Sequence, residues 1–252
     1  MAATSGKLSP ASEELRKKPD PPALALVKGL PTRTVVLTYH DMVPKRDKNS
    51  VWFDCTPEEL TEQLDFLAEQ GANFISLEDL YKGLTGNIPL KPKSVAITFA
   101  DNYQGFYTHA WPILRARKIP VTLFVHTGHV GSQKGRPKMN WQTLKELQAS
   151  GLVSVQSQTV SHPADLTKLS AASLKNELVD SKAAIERELG IECWAIAYPN
   201  GKFNLATAQT AQKAGYLIGF SEEQRPAESA PDIHRVPRWV HTKWKEAWRS
   251  AN

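Results

Sequence analysis

Short apolar, β-branched runs alternate with amphipathic segments along most of the chain, and this alternation constrains the fold more than any other feature. The run 34–39, Thr-Val-Val-Leu-Thr-Tyr, reads as a buried strand. Thr56 suits the cap of a following helix, Pro57 its first position, and Glu59 the third place of a capping box. Leu60, Leu64, Phe66 and Leu67 give that helix an apolar face, and Gly71 can end it. The pattern then predicts a strand at 74–75, a helix over 77–84 and a strand over 94–99. A helix over 106–117 is expected to bend at Pro112. Strands at 121–125, 153–156, 193–197 and 216–220 alternate with helices over 141–149, 171–189 and 205–214, and a last extended piece covers 236–241. Gly151 and Gly190 mark two of the helix ends. Such units imply parallel strands joined by right-handed crossovers. The expected class is α/β, a distorted (β/α) barrel of about seven parallel strands. Periodicity alone leaves an open two-sided sheet as the other arrangement.

Composition narrows the function classes. The 252 residues are 41% hydrophobic and 23% charged, which excludes a disordered chain and a disulfide-dense scaffold. The first thirty or so residues are rich in Pro, Ser, Ala and charge, so residues 1–32 are expected to form a flexible arm before a single domain over 33–252. The net charge of +5 is spread along the chain, with Arg16-Lys17-Lys18 its densest block, and this argues for no nucleic-acid partner. Cys55 and Cys193 lie far apart without a CxxC pattern and read as packed small hydrophobes. No apolar run reaches the ~18–20 residues of a transmembrane segment, and no secretory signal peptide is visible at the start.

In either α/β arrangement the chemistry belongs at the C-terminal ends of the strands. Five of those ends carry polar or special residues: His40 and Asp41; Ala100 to Tyr103; Ser157, Gln158, Thr159, Ser161 and His162; Tyr198 to Gly201; and His234, Arg235, Arg238 and His241. Asp101 supplies a carboxylate and His162 an imidazole. Gln158 stands four residues before His162, so a helical turn there would put both on one face. One carboxylate and two such side chains suit a three-ligand site for zinc or another divalent ion, with Gln158 the poorest ligand. The alternative is an Asp and a His that only bond loop backbone.

Three segments make a more specific pattern. Thr98-Phe99-Ala100-Asp101-Asn102-Tyr103, Ser157-Gln158-Thr159-Val160-Ser161-His162-Pro163 and Ala197-Tyr198-Pro199-Asn200-Gly201 occur in that order. They resemble the T-F-D-D-G-Y, S-H-T-x-S-H-P and Y-P-Y-G segments of the polysaccharide deacetylases, carbohydrate esterase family four. Tyr39-His40-Asp41, Trp141, Gly215-Tyr216 and Pro237-Arg238 resemble the wider pattern, so the likeness spans residues 33–240. It implies a distorted barrel and a metal-dependent hydrolase that removes acetyl groups from a polysaccharide or oligosaccharide, with an N-acetylglucosamine-type polymer favoured. It also implies an extracellular, periplasmic or cell-envelope location. By position, the metal ligands would be Asp101, Gln158 and His162, with zinc as the ion, and the Asn200 backbone N–H would support the oxyanion. Substrate contacts would fall to His40, Asp41, Tyr103, Trp141, Tyr198, Pro199 and Arg238. His241 is a loose match for the general acid, with His234 a second candidate, and Trp239 is a further sugar-stacking candidate beside Trp141.

Two departures bear on activity. The position of the general base is Ala100, which accepts no proton, and positioned acid–base catalysis is worth about 10²–10⁴-fold. The first histidine of the second segment is Gln158, which weakens the ligand set. The expectation is therefore a deacetylase-type barrel with impaired activity. The alternative is a non-catalytic carbohydrate-binding protein on the same degenerate pocket.

Overall fold

A computed structural model of the chain describes residues 33–251. The arm expected over residues 1–32 lies outside the described residues. Eight parallel strands form one sheet: β1 Val35–Tyr39, β2 Asn73–Ile75, β3 Ser94–Ala100, β4 Val121–Val125, β5 Val153–Ser157, β6 Ala195–Ala197, β7 Ile218–Phe220 and β8 Trp239–Val240. Seven of them follow the order β7-β6-β5-β4-β3-β1-β8. Residues 94–96 of β3 pair with β2 and residues 97–100 with β4, so β2 and β4 share one edge of β3 while β1 takes the other. The sheet curls until its ends are joined by one stretch of chain. Val236 bridges Phe220 at the end of β7, and Trp239 pairs with Leu37 of β1. This is the distorted barrel expected from the alternation, and the flat two-sided sheet is ruled out.

Strand side chains alternate between two environments, as a period of two requires. One set, including Leu37, Ile97, Phe99, Leu123 and Val155, packs outward against the helices. The helices are α1 Pro57–Glu69, α2 Leu77–Leu84, α3 Trp111–Ala116, α4 Trp141–Ala149, α5 Ala171–Leu189, α6 Leu205–Lys213 and α7 Trp244–Ala251. The other set, including Val36, Ala96, Phe124, Ala195, Ala197, Ile218 and Phe220, fills the inside of the curl. Its many small members allow the barrel to be narrow.

Most helix ends follow local signals. Thr56 and Glu59 form the expected capping box of α1, and Gly190 ends α5 in the left-handed region. The segment expected as one helix over 106–117 opens with a wide π-helical turn, Phe106–Ala110, in which the Trp111 N–H reaches Phe106 C=O, and continues as α3. Pro112 has no N–H to donate into the preceding turn, which accounts for the break. Two strands are shorter than expected. The N–H groups of Trp194 and Ala195 donate to Gln156 Oε1, so a side chain replaces the ladder there and β6 starts at Ala195. Likewise β7 begins only at Ile218, and within 236–241 only Trp239 and Val240 are paired as strand. Helix α7 was not anticipated. It packs Trp244, Ala247 and Trp248 onto the outer core.

Both cysteines are buried, and burial pushes each thiol up to about 12, in keeping with packed hydrophobes. Gly219 marks a close approach inside the barrel. A Cβ there would overlap Tyr198 Oη and the His234 carbonyl, which are hydrogen-bonded to each other at 2.9 Å. We expect Gly219→Ala to destabilise the protein by about 1–3 kcal/mol through overpacking, measured by urea denaturation.

Candidate functional site

Strand ends on one rim of the barrel converge on a cavity of about 170 Å³ lined by His40, Trp52, Phe53, Asp101, Gln158, His162, Asn200 and Glu222. His40 follows β1, Asp101 follows β3, Gln158 follows β5, Asn200 lies just beyond β6 and Glu222 just beyond β7. The backbone around it is unusual. Of eight non-glycine residues with positive φ among the described residues, five lie here: Asp101, Asn102, Thr159, His162 and Asn200. Such conformations cost energy and persist only where surrounding bonds hold them. Here Glu177 of α5 accepts the Val160 and Ser161 N–H groups at 2.8 and 2.9 Å and the Ser161 hydroxyl at 2.6 Å. Lys138 Nζ donates to Asp101 C=O at 2.8 Å, and Asn102 C=O accepts the Met139 N–H at 2.9 Å.

Gln158 and His162 do not share a helical face as their spacing suggested, because Thr159 and His162 have left-handed backbone. They nevertheless meet at Asp101. Gln158 Oε1 accepts the Asp101 N–H at 2.8 Å, and His162 Nε2 stands 3.4 Å from Asp101 Oδ1. That oxygen is buried and lacks a hydrogen-bond partner. Burial alone would raise the Asp101 carboxyl, but the His162 ring, with His40 and His126 nearby, holds it well below the usual carboxylate range. The Asp101–His162 separation is about that of two ligands on one tetrahedral ion with ~2.0–2.1 Å bonds. These two side chains therefore fit a divalent ion. The third donor is weak, a neutral amide whose oxygen already accepts a bond. Among the described residues no group of three His, Cys, Asp or Glu is arranged to hold a metal.

Other expected site residues sit elsewhere. Ala100 is buried at the end of β3, on its inward face. Asp41 is bound to Arg136 at 2.8 Å and does not line the cavity. Tyr103 stacks on Phe53 with 6.1 Å between ring centroids and has Lys138 Nζ 3.3 Å from its ring centre, so it backs the cavity-lining Phe53 without lining the cavity itself. Tyr198 is fully buried and its hydroxyl donates to His234 C=O, which removes it from substrate contact. Pro199 is buried in the turn that carries Asn200. Trp141 opens α4 and, like Trp239, packs against the outer core. Arg238 lies inside the barrel with no exposed surface, donating to Ser221 C=O and Thr38 Oγ1. His241 is buried, stacked on Tyr39 at 5.1 Å, and does not line the cavity; burial, with His40 nearby, lowers it to about 4. His234 Nε2 meets Tyr216 C=O at 2.8 Å in the interior. Asn200 lines the cavity from the short helical turn Pro199–Gly201, with left-handed backbone at φ 55°.

Five residues at or beside the cavity were given no site role from the sequence. Trp52, 59% exposed, and Phe53 come from a loop without a motif. Arg136 pins that loop: it donates to the fully buried Asp54 through both terminal guanidinium nitrogens and lies 5.2 Å from the Phe53 ring. His126 and Glu222 stand just past β4 and β7, where the strand-end rule could have found them. His126 is 5.4 Å from the His162 ring, and burial, with Lys138 nearby, lowers it to about 3.

Comparison with known proteins agrees with this geometry. The family model for polysaccharide deacetylase matches residues 87–219, just over half of the chain. The poly-beta-1,6-N-acetyl-D-glucosamine N-deacetylase of Staphylococcus aureus is 29% identical over 196 residues, covering 74% of this chain and 67% of that protein. The Streptococcus pyogenes deacetylase PplD, solved in complex with acetate, superposes with a TM-score of 0.79 at 26% identity, over 88% of this chain and 99% of that one. IcaB from Ammonifex degensii superposes with a TM-score of 0.77 at 28% identity, over 88% and 98%.

The pinned aromatic loop gives a test of its own. Arg136→Ala leaves the buried Asp54 carboxylate without its charged partner, and we expect a loss of about 1–3 kcal/mol. Thermal unfolding measures the loss, and a red-shifted tryptophan emission would report release of the loop.

Proposed function

The chain belongs to the polysaccharide deacetylase family, and from that premise we propose that it removes acetyl groups from an N-acetylglucosamine-type polymer, slowly, because position 100 offers no base. The observation that carries this reading is the convergence of Asp101, Gln158, His162 and Asn200 on one small cavity. The Staphylococcus aureus relative is named for poly-β-1,6-N-acetylglucosamine, which favours that polymer over other acetylated glycans. Such a substrate is met outside the cell or at its envelope, and among the described residues no helix is long and apolar enough to cross a membrane.

The chain's own groups divide the work by position. Trp52 and Phe53 form an aromatic wall against which a sugar ring can stack. In this reading the Asn200 N–H supports the acetyl oxygen, where negative charge develops as the carbonyl is attacked, and its position on the cavity lining is what favours it. Asp101 and His162 are the residues that would hold a divalent ion, zinc in the first instance, with Gln158 as a poor third donor. Such an ion, when bound, polarises a carbonyl and acidifies water. His40, buried and lowered from its ordinary value by that burial, keeps a neutral ring beside the cavity at pH 7.

Acetate release from oligomers of β-1,6-linked N-acetylglucosamine tests the reading. We expect a slow rate for the parent chain and a rate about 10²-fold higher or more for Ala100→Asp at matched zinc loading. No acetate from either protein would refute it, and oligosaccharide binding without hydrolysis would leave a carbohydrate-binding protein.

Zinc titration calorimetry tests the ligand set. Gln158→His replaces a neutral amide with imidazole, and we expect it to tighten zinc binding by about tenfold or more. Binding that persists after Asp101 and His162 are both replaced by Ala would remove those residues from the site.

A further inference from the structure

Arg238 carries a positive charge in a place where charge is costly. It has no exposed surface, and its guanidinium lies over the Phe124 ring at 5.2 Å and donates to Thr38 Oγ1 at 3.3 Å. Both contacts locate it beside position 100. Phe124 is the register partner of Ala100, and Thr38 is the register partner of Thr98, which shares the inward face of β3 with Ala100. A carboxylate at position 100 would therefore stand next to this cation. Ala100 has none, and a buried charge left without a counterion is strongly destabilising.

The carboxylate that answers Arg238 comes from another strand. Glu222 Oε1 is 3.4 Å from Arg238 Nη2 and 3.9 Å from His40 Nε2, and the residue lines the cavity. Its backbone is wedged beside the Asn200 turn: a Cβ on Gly201 would come within 2.9 Å of Glu222 Cβ and 3.0 Å of its nitrogen. The other acids nearby are committed. Asp101 is held by His162, and Asp41 and Asp54 by Arg136. Glu222 is thus the cavity-lining carboxylate that is joined to the buried arginine and not to the Asp101–His162 pair.

We propose that Glu222 replaces the missing acid of position 100 as the proton acceptor of the hydrolysis, a carboxylate moved from the end of β3 to the end of β7 around the same buried arginine. This rests on the deacetylase reading above. In the step it performs, the oxygen of a water bonds to the acetyl carbonyl carbon while one of its protons passes to the Glu222 carboxylate. The carbon–nitrogen bond then breaks, the proton on Glu222 goes to the departing sugar nitrogen, and acetic acid leaves with the water's other proton, which it gives up to solvent. Glu222 ends unprotonated, ready for the next water.

The test compares the full-length parent chain, Glu222→Gln, and Glu222→Gln combined with Ala100→Asp, all zinc-loaded, on oligomers of β-1,6-linked N-acetylglucosamine. Acetate release, oligosaccharide affinity and thermal midpoint are measured on each. Glutamine keeps an acceptor oxygen for Arg238 but not its counter-charge, so oligosaccharide affinity should hold while the thermal midpoint drops and kcat falls by about 10²-fold or more. Ala100→Asp should restore the rate in that background. A Glu222→Gln protein as fast as an active parent overturns this inference and leaves the deacetylase reading intact. A parent that releases no acetate overturns that reading, and this inference with it. If Glu222→Gln fails to fold, Glu222→Asp keeps the charge but draws the carboxylate back. Its kcat should fall by about tenfold at unchanged KM, and an unchanged kcat overturns the inference.

Discussion

A guanidinium enclosed by a parallel barrel must be neutralised from within, and much of this protein's inner architecture follows from how Arg238 is accommodated. The strand face around it is built of small or hydroxyl-bearing side chains, among them Thr38, Thr98 and Ala100. Phe124 offers the π-face of a ring, and the Ser221 carbonyl and Thr38 hydroxyl take two of the donated hydrogen bonds. Burial lowers the Arg238 pKa, and the neighbouring Glu222 and Asp101 charges oppose that shift. The cavity lies where this buried positive field meets the rim. Glu222, the acid that lines the cavity there, faces this buried cation at 3.4 Å.

The barrel was legible in the sequence because its determinants are repeated and mostly local. Helix α5 could be placed to the residue from its apolar spacing and its terminal Gly190, and α1 from Thr56, Pro57 and Glu59. The short strands were less legible because a ladder is a contract between distant segments. Nothing local at 193–195 announces that Gln156, 38 residues upstream of Trp194, supplies the acceptor in place of a neighbouring strand. Helix α7, with its two tryptophans, lacks a capping signal at its start and declares itself only by packing.

The site divides in the same way. Asp101, Gln158, His162 and Asn200 belong to ordered segments at strand ends, so position along the chain was enough to find them. Tyr198 and Trp141 belong to the same segments, yet they point into packing, because motif membership fixes backbone shape as often as it fixes contact. Trp52 and Phe53 sit on a loop tied down by the Arg136–Asp54 pair, between residues 82 apart in sequence. No spacing rule anticipates an aromatic wall held in that manner. Glu222 required only that the strand-end rule be applied to β7 as it was to its neighbours.

The clamp on the loop before His162 has a mechanical consequence. The Glu177 carboxylate gathers three donors from residues 160 and 161, and it stands on α5, the longest helix among the described residues. A segment tied at one point by three charge-assisted bonds cannot loosen residue by residue, since freeing one donor leaves the others in place. His162 therefore inherits its position from the seating of a helix against a sheet. The gap between His162 and Asp101 becomes a measure of that seating: any strain that shifts α5 along β5 is transmitted to the two groups as a change in their spacing, over the length of a single glutamate side chain.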